Sequence, residues 1–204
     1  MADVVTKGVG KVERTADRAE VTVSFETTGS SRAEAVDALT RRVAEVEALL
    51  ARTSVDVRSR RLDVHTNWHR NRRSGARAMQ QYLLRVDDLA LLDELLGALV
   101  AAEPAWLNGP NWQLRDDADA VREAQREAVA DARRRAAGYA DALGARLGAL
   151  QKLTDGDAET WGNERVAFAG YGGSPGTPQV DQLNLTAQEI TVAVRCTAAW
   201  TLLD

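Results

Sequence analysis

Apolar positions recur along residues 118–148 at Val121, Ala124, Ala128, Ala132, Ala136, Ala140, Leu143 and Leu147. Steps of three and four keep these side chains on one side of a 3.6-residue spiral, so the pattern predicts one long helix with a nearly all-alanine covering face. Arg122, Glu123, Arg126, Glu127, Arg133 and Arg134 take the opposite side. Methyl groups at successive turns let a helix backbone come close to what it covers, which in a chain of mixed elements is a sheet. Asp116, Asp117 and Asp119 place negative charge where the dipole of the helix favours it, and Gly144 or Gly148 supplies a left-handed cap at its end.

Elsewhere the apolar period is two. Residues 4–12 and 19–28 read as strands joined by a polar turn; in the second, Val21, Val23 and Phe25 alternate with Thr22, Ser24 and Glu26. Ser31-Arg32-Ala33-Glu34 has the spacing of a capping box and starts a helix over 32–51, whose stripe Val36, Leu39, Val43, Val46 and Leu50 suits one sheet face. Residues 53–68 and 77–86 form the arms of a long hairpin. Its alternation slips between Val57 and Leu62, which predicts a bulge or bend near 59–61, and its tip, 70–75, is highly charged. Asp88 caps a second helix over 89–102 with Leu92, Leu95, Leu96 and Leu99 inward, and Pro104 stops it. A short strand over 106–114, weakened by Gly109 and Pro110, precedes the long helix, and a strand over 149–154 follows it. Residues 155–182, dense in glycine and proline, are expected to be a mobile loop. From Ile190 the even positions Ile190, Val192, Val194, Cys196, Ala198, Trp200 and Leu202 predict a half-buried terminal strand that the sheet cannot do without.

This order defines the α+β class. Two related strand-strand-helix halves are followed by the long alanine-rich helix packed on an antiparallel or mixed sheet, in one domain spanning 1–204. No glycine-rich fingerprint joins a strand to a helix, so a Rossmann arrangement has no support.

Composition narrows the function. The chain has 204 residues, 45% apolar and 27% charged, which is ordinary for a globular protein with a real core. A net charge of -4 argues against a generic nucleic-acid binder or a protein held to anionic lipid by charge alone. Cys196 is the only cysteine, so no intrachain disulfide forms. With no apolar stretch of signal-peptide type at its start and none near the roughly 20 residues of a membrane span, the chain is expected in the cytoplasm.

Searches for chemistry assign no catalytic residue, no cofactor and no metal. His65 and His69 on a strand lie about 13 Å apart, too far to share an ion. Asp116, Asp117 and Asp119 lack the glycine turn and closing glutamate of a calcium loop, and Gly8-Val9-Gly10-Lys11 lacks the frame of a phosphate loop. Cys196 falls on the apolar side of its strand, where a thiol behaves as a small hydrophobe. The denser signal is basic: Arg58, Arg60, Arg61, Arg70, Arg72, Arg73 and Arg77, with His65 and His69, surround Trp68. Arginine interleaved with an aromatic residue holds single-stranded nucleic acid by phosphate pairing and base stacking. The competing reading is a solvated hairpin whose arginines pair with acidic helices of a neighbouring subunit. Trp161, in the expected loop, is a second candidate for gripping a partner.

Gly8-Val9-Gly10 followed by AEVTVSFET, the helix start SRAEAVDAL, the segment YLLRVDDLALLDELL, the run AVREAQREAVADARRRAAGYADALGARLGAL and the closing QEITVAVRCTAAWTL are found in this order. In order and spacing they resemble the SIMPL-domain family, whose bacterial members include periplasmic immunogenic proteins and proteins linked to oxidative-stress defence. The resemblance implies an α+β fold of two related halves and assembly into ring-like or larger homo-oligomers, and it carries over no catalytic residues. Read from its first residues, the chain is expected to differ from many bacterial members in having no signal peptide, and its hairpin tip is unusually basic. Three functions are therefore weighed: a non-enzymatic, self-associating protein tied to stress or envelope physiology; a module that binds a polyanion or single-stranded nucleic acid through the arginine-rich hairpin; and small-molecule binding in a cleft covered by the loop near Trp161.

Overall fold

A computed structural model describes residues 2–52, 55–70, 72–162 and 185–204. In chain order the elements are β1 (Ala2–Thr15), β2 (Arg18–Gly29), α1 (Arg32–Arg52), β3 (Asp56–His69), β4 (Arg72–Val86), a 3-10 turn (Leu89–Leu91), α2 (Leu92–Ala101), β5 (Trp106–Gln113), α3 (Ala118–Ala142), β6 (Arg146–Gly162) and β7 (Glu189–Leu203). They divide into two compact units, Met1–Ala16 with Leu114–Arg165 and Gln188–Asp204, and Asp17–Gln113 with Val166–Ala187. Each unit has its own antiparallel sheet, ordered β1-β7-β6 in the first and β3-β4-β2-β5 in the second.

The α+β class and the alanine-rich helix packed on an antiparallel sheet are as expected. The two strand-strand-helix successions are present along the chain, but β1 leaves the first of them for the sheet of β7. The chain changes unit between Ala16, whose N–H donates to Gln188 O, and Asp17, whose N–H donates to Gln113 O. The short polar turn therefore separates two sheets.

In the second unit α1 begins as its sequence dictates. Ser31 Oγ accepts the Glu34 N–H at 3.2 Å, and the Glu34 carboxylate accepts the Ser30 N–H at 2.8 Å, one residue upstream of the partner an ideal capping box would choose. Leu39, Val43, Val46 and Leu50 are buried, joined by Ala35, while Val36 is partly buried. Asp88 caps the 3-10 turn through Ala90, and Leu92, Leu95, Leu96 and Leu99 of α2 fill the same core with Val21, Val23, Phe25, Tyr82 and Leu84. The hairpin is longer than expected. β4 starts at Arg72 rather than 77, so most of the predicted charged tip is strand, and the bulge falls between Val57 and Ser59, with another irregularity between Asn67 and Trp68. Pro110 is tolerated because β5 lies at the sheet edge.

In the first unit α3 ends earlier than the apolar pattern suggests. Gly144 at φ +69° turns the chain, Ala145 N–H closes on Ala140 O, and β6 starts at Arg146. Leu143 is consequently exposed and Leu147 belongs to a strand. The buried stripe is Ala120, Ala124, Ala128, Ala132, Ala136 and Ala140, a strict step of four. It meets two glycines: a Cβ built on Gly8 would lie 1.9 Å from Ala128 O, and one on Gly10 would lie 1.9 Å from Ala124 O. Thr6 Oγ1 donates to Ala132 O at 2.8 Å along the same seam. Close backbone approach is thus what the alanines provide. β7 is the central strand, bonded to β1 and β6, and is buried beyond its even positions, at Thr191, Ala193 and Thr201 as well. The strand expected over 149–154 extends to Gly162, because register with β7 continues through three irregularities into residues of loop-like composition. The rest of the predicted loop, 163–182, lies outside the described residues.

Candidate functional site

The hairpin β3–β4 carries most of the sequence-selected residues, and pairing divides them. Cross-strand partners share a sheet face. Arg60 stands opposite Tyr82, on the side covered by α1, whereas Arg61 opposite Gln81 and Arg77 opposite His65 occupy the other side. Arg61 and Trp68 are seven residues apart, about 23 Å along a strand. One continuous basic face is therefore not formed.

Several of the cations already have partners. Arg60 forms a fork with Glu47 of α1, Nε to Oε1 at 3.1 Å and Nη2 to Oε2 at 3.0 Å, with its Cζ 6.0 Å from the Tyr82 ring centroid. The Tyr82 hydroxyl donates to the same Oε1 at 3.0 Å, and its ring meets Phe25 edge-on at 6.3 Å. The Arg60 hydrogen bonds, supported by the Tyr82 hydroxyl, hold the Glu47 carboxyl below the usual carboxylate range, against the effect of partial burial. Burial, followed by the bond to Glu47, pushes the Tyr82 hydroxyl up. Arg58 pairs with Asp56 at 3.2 Å, Arg77 with Glu26 at 3.3 Å and His65 with Asp63 at 2.9 Å.

Arg61, Arg70 and Arg72 have no ion-pair partner among the described residues, and Trp68 is 68% exposed. Arg70 sits at the hairpin turn with φ +45°. The side chains of Arg73, His69 and Trp161 lie outside the described residues. By its backbone Trp161 is in β6 opposite Thr191, a strand position and not the loop position expected. At the start of α3, Asp116 accepts the Ala118 N–H at 2.9 Å and Asp119 bonds Arg122, which accounts for two of the three aspartates as helix-start residues. Among the described residues no group of three or more histidine, cysteine, aspartate or glutamate side chains is placed to hold a metal.

What the sequence did not disclose is the contrast between sheet edges. At the β1 edge, Val9 N–H donates to Asp131 Oδ2 at 3.1 Å and Lys11 N–H to Glu127 Oε2 at 3.2 Å, so carboxylates of α3 occupy amides that would otherwise be open. The Val9 amide, followed by Arg135 and Arg134, draws the Asp131 carboxyl below its usual range. The β5 edge is eight residues long and interrupted by Pro110. β3, by contrast, is 14 residues long, pairs only with β4 among the described residues, and leaves Leu62 56% exposed. β6 likewise pairs only with β7 among the described residues, with Leu150 and Leu153 exposed. Periodicity reports faces and not edges, so only the sheet order distinguishes them.

No helix among the described residues is long and apolar enough to cross a membrane. No curated protein sequence matches the chain. The family described as SIMPL, "Protein of unknown function (DUF541)", matches residues 4–200. That match spans α1, α2 and α3 and strands of both sheets among the described residues, and the chain therefore belongs to the SIMPL family.

Proposed function

We propose that the protein is a non-enzymatic, self-associating member of this family whose subunits join along open sheet edges, chiefly at the β3–β4 hairpin. The observation that carries this reading is the edge of β3: a long strand whose outer side has no partner among the described residues, with Leu62 and Trp68 exposed, where the β1 and β5 edges are covered or broken. An unguarded edge is a template for another chain. A role in stress or envelope physiology rests on the resemblance to bacterial relatives alone. Light scattering at micromolar concentration and physiological salt should give a mass above the 22.1 kDa of one chain. Leu62→Asp, at an exposed position, should weaken association at least tenfold without lowering the melting temperature. A strict monomer would overturn the proposal.

A second reading is favoured by Arg70 and Arg72, which have no ion-pair partner among the described residues, and by the exposed Trp68 at the same end of the hairpin: this end takes single-stranded nucleic acid or another polyanion. Titration of a labelled oligonucleotide at two salt concentrations decides it, because phosphate-driven binding weakens steeply as salt rises. No binding at low salt removes this reading.

A further inference from the structure

Beyond self-association, we propose that a cleft between α3 and β6 binds a long-chain carboxylate as a single amphiphilic molecule. The cleft exists because of how α3 is held. Gly8, Gly10, Thr6 and the carboxylates of Glu127 and Asp131 draw the helix onto β1, at one edge of a three-stranded sheet. A helix is about 10 Å across, and strands stand about 4.8 Å apart, so a helix seated over β1 and β7 covers β6 at Leu147 but leaves Leu150 and Leu153 exposed. The space beside β6 has a volume of about 330 Å³, at the lower end of small-molecule sites and too small for a peptide helix.

Its lining is apolar apart from Gln125 and Asp155, and two arginines border the depression beside it. Val194 and Cys196 of β7 form the floor with Ala128, while Val129 and Leu153 form the walls. Gln125 stands at the mouth and Asp155 on the β6 wall. Gln125 and Val129 also line an adjoining depression bounded by Arg122 and Arg126, so the apolar space continues into an arginine rim. Arg122 is bonded to Asp119, whereas Arg126 has no partner among the described residues. The two flanks of α3 thus differ in sign: Glu123, Glu127 and Asp131 engage β1, and the arginines border the cleft. Asp155 repels an anion from the β6 side, which leaves the Arg126 side for the head group. An apolar tail on the floor and a carboxylate at Arg126 satisfy both parts.

The single cysteine lines the floor and reports on occupancy. In the full-length chain, dodecanoate below its micelle concentration should bind one per chain by calorimetry and slow the reaction of Cys196 with a thiol reagent at least tenfold. Dodecyltrimethylammonium, with the same tail and the opposite charge, should bind at least tenfold more weakly, and butyrate should not protect. Arg126→Glu, at an exposed position, should weaken dodecanoate at least tenfold while leaving the melting temperature unchanged; Val129→Glu should abolish protection. Equal binding of the two charged amphiphiles, unaltered affinity in Arg126→Glu, or association with anionic vesicles without binding of monomeric dodecanoate would each overturn the assignment. These readouts do not depend on assembly, so a monomeric chain that binds dodecanoate would sink the association proposal alone.

Discussion

At the scale of single residues, the close seam between β1 and α3 sets the tightest constraint. A methyl group at Gly8 has nowhere to go, because the atom it meets is the backbone oxygen of Ala128 and not a side chain that can turn aside. Gly8→Ala should cost about 3 kcal/mol, the upper end of overpacking, read as a lower denaturant midpoint. Gly138, in the same helix with nothing within 4 Å of an added methyl, is the control: Gly138→Ala should add about 1 kcal/mol from helix propensity. The buried Tyr82 depends on Glu47 in a different way. Because the folded carboxyl titrates below its unfolded value, its contribution is fully present above the ordinary carboxylate range and is lost as pH falls through the depressed folded value. Glu47→Gln should cost about 1 kcal/mol at neutral pH, and its melting temperature should fall less steeply than that of the wild type on acidification. Equal slopes in the two proteins would refute this account of Glu47. The role of Glu47 was not readable from the chain alone: it lies outside every motif, and it is Arg60, 13 residues on, that gives it a partner.

At the scale of elements, helix starts and inward stripes were legible, and ends and edges were not. Ser31, Glu34 and Asp88 act on amides only a few residues away, so the starts of α1 and the 3-10 turn follow from local sequence. The end of α3 was overrun because leucines continue the helical spacing through 143 and 147, while the turn at Gly144 breaks it. The length of β6 was missed because residues 155–162 are held by pairing with β7 and not by their own propensity. The candidate site suffered the same way: a run of arginines looks like one surface until Glu47, Asp56 and Glu26 claim three of them. The flank of α3 that guards β1 offers the complementary test. Removing Glu127 and Asp131 together, as alanines, uncovers the Val9 and Lys11 amides, so the variant should associate more strongly than the wild type in light scattering. Unchanged mass would mean that the carboxylates do not guard the edge.

At the scale of the whole molecule, the two units differ in how they are drawn from the chain. One takes its β2–β5 sheet, α1 and α2 from the continuous stretch Asp17–Gln113, whereas the other assembles β1, α3, β6 and β7 from distant segments. Non-local pairing of that kind carries a larger loop-closure cost and slows folding. A fragment of residues 17–113 should therefore melt cooperatively by itself, while deletion of 189–204 from the full chain should abolish the native signal of α3, since β7 is bonded on both sides. A non-cooperative 17–113 fragment, or a truncated chain that retains its full helical signal, would contradict this division.

The sequence by itself determined the period of most elements, the caps that start α1 and the 3-10 turn, the alanine face of α3 and the apolar alternation of β7, because each rests on residues within a turn or two of one another. Only the tertiary structure decided which sheet each strand entered, which flank of α3 met β1, which hairpin arginines were neutralised and where a cleft remained. Those outcomes depend on contacts such as Thr6 to Ala132, 126 residues apart, whose partners are brought together by packing and not by proximity along the chain.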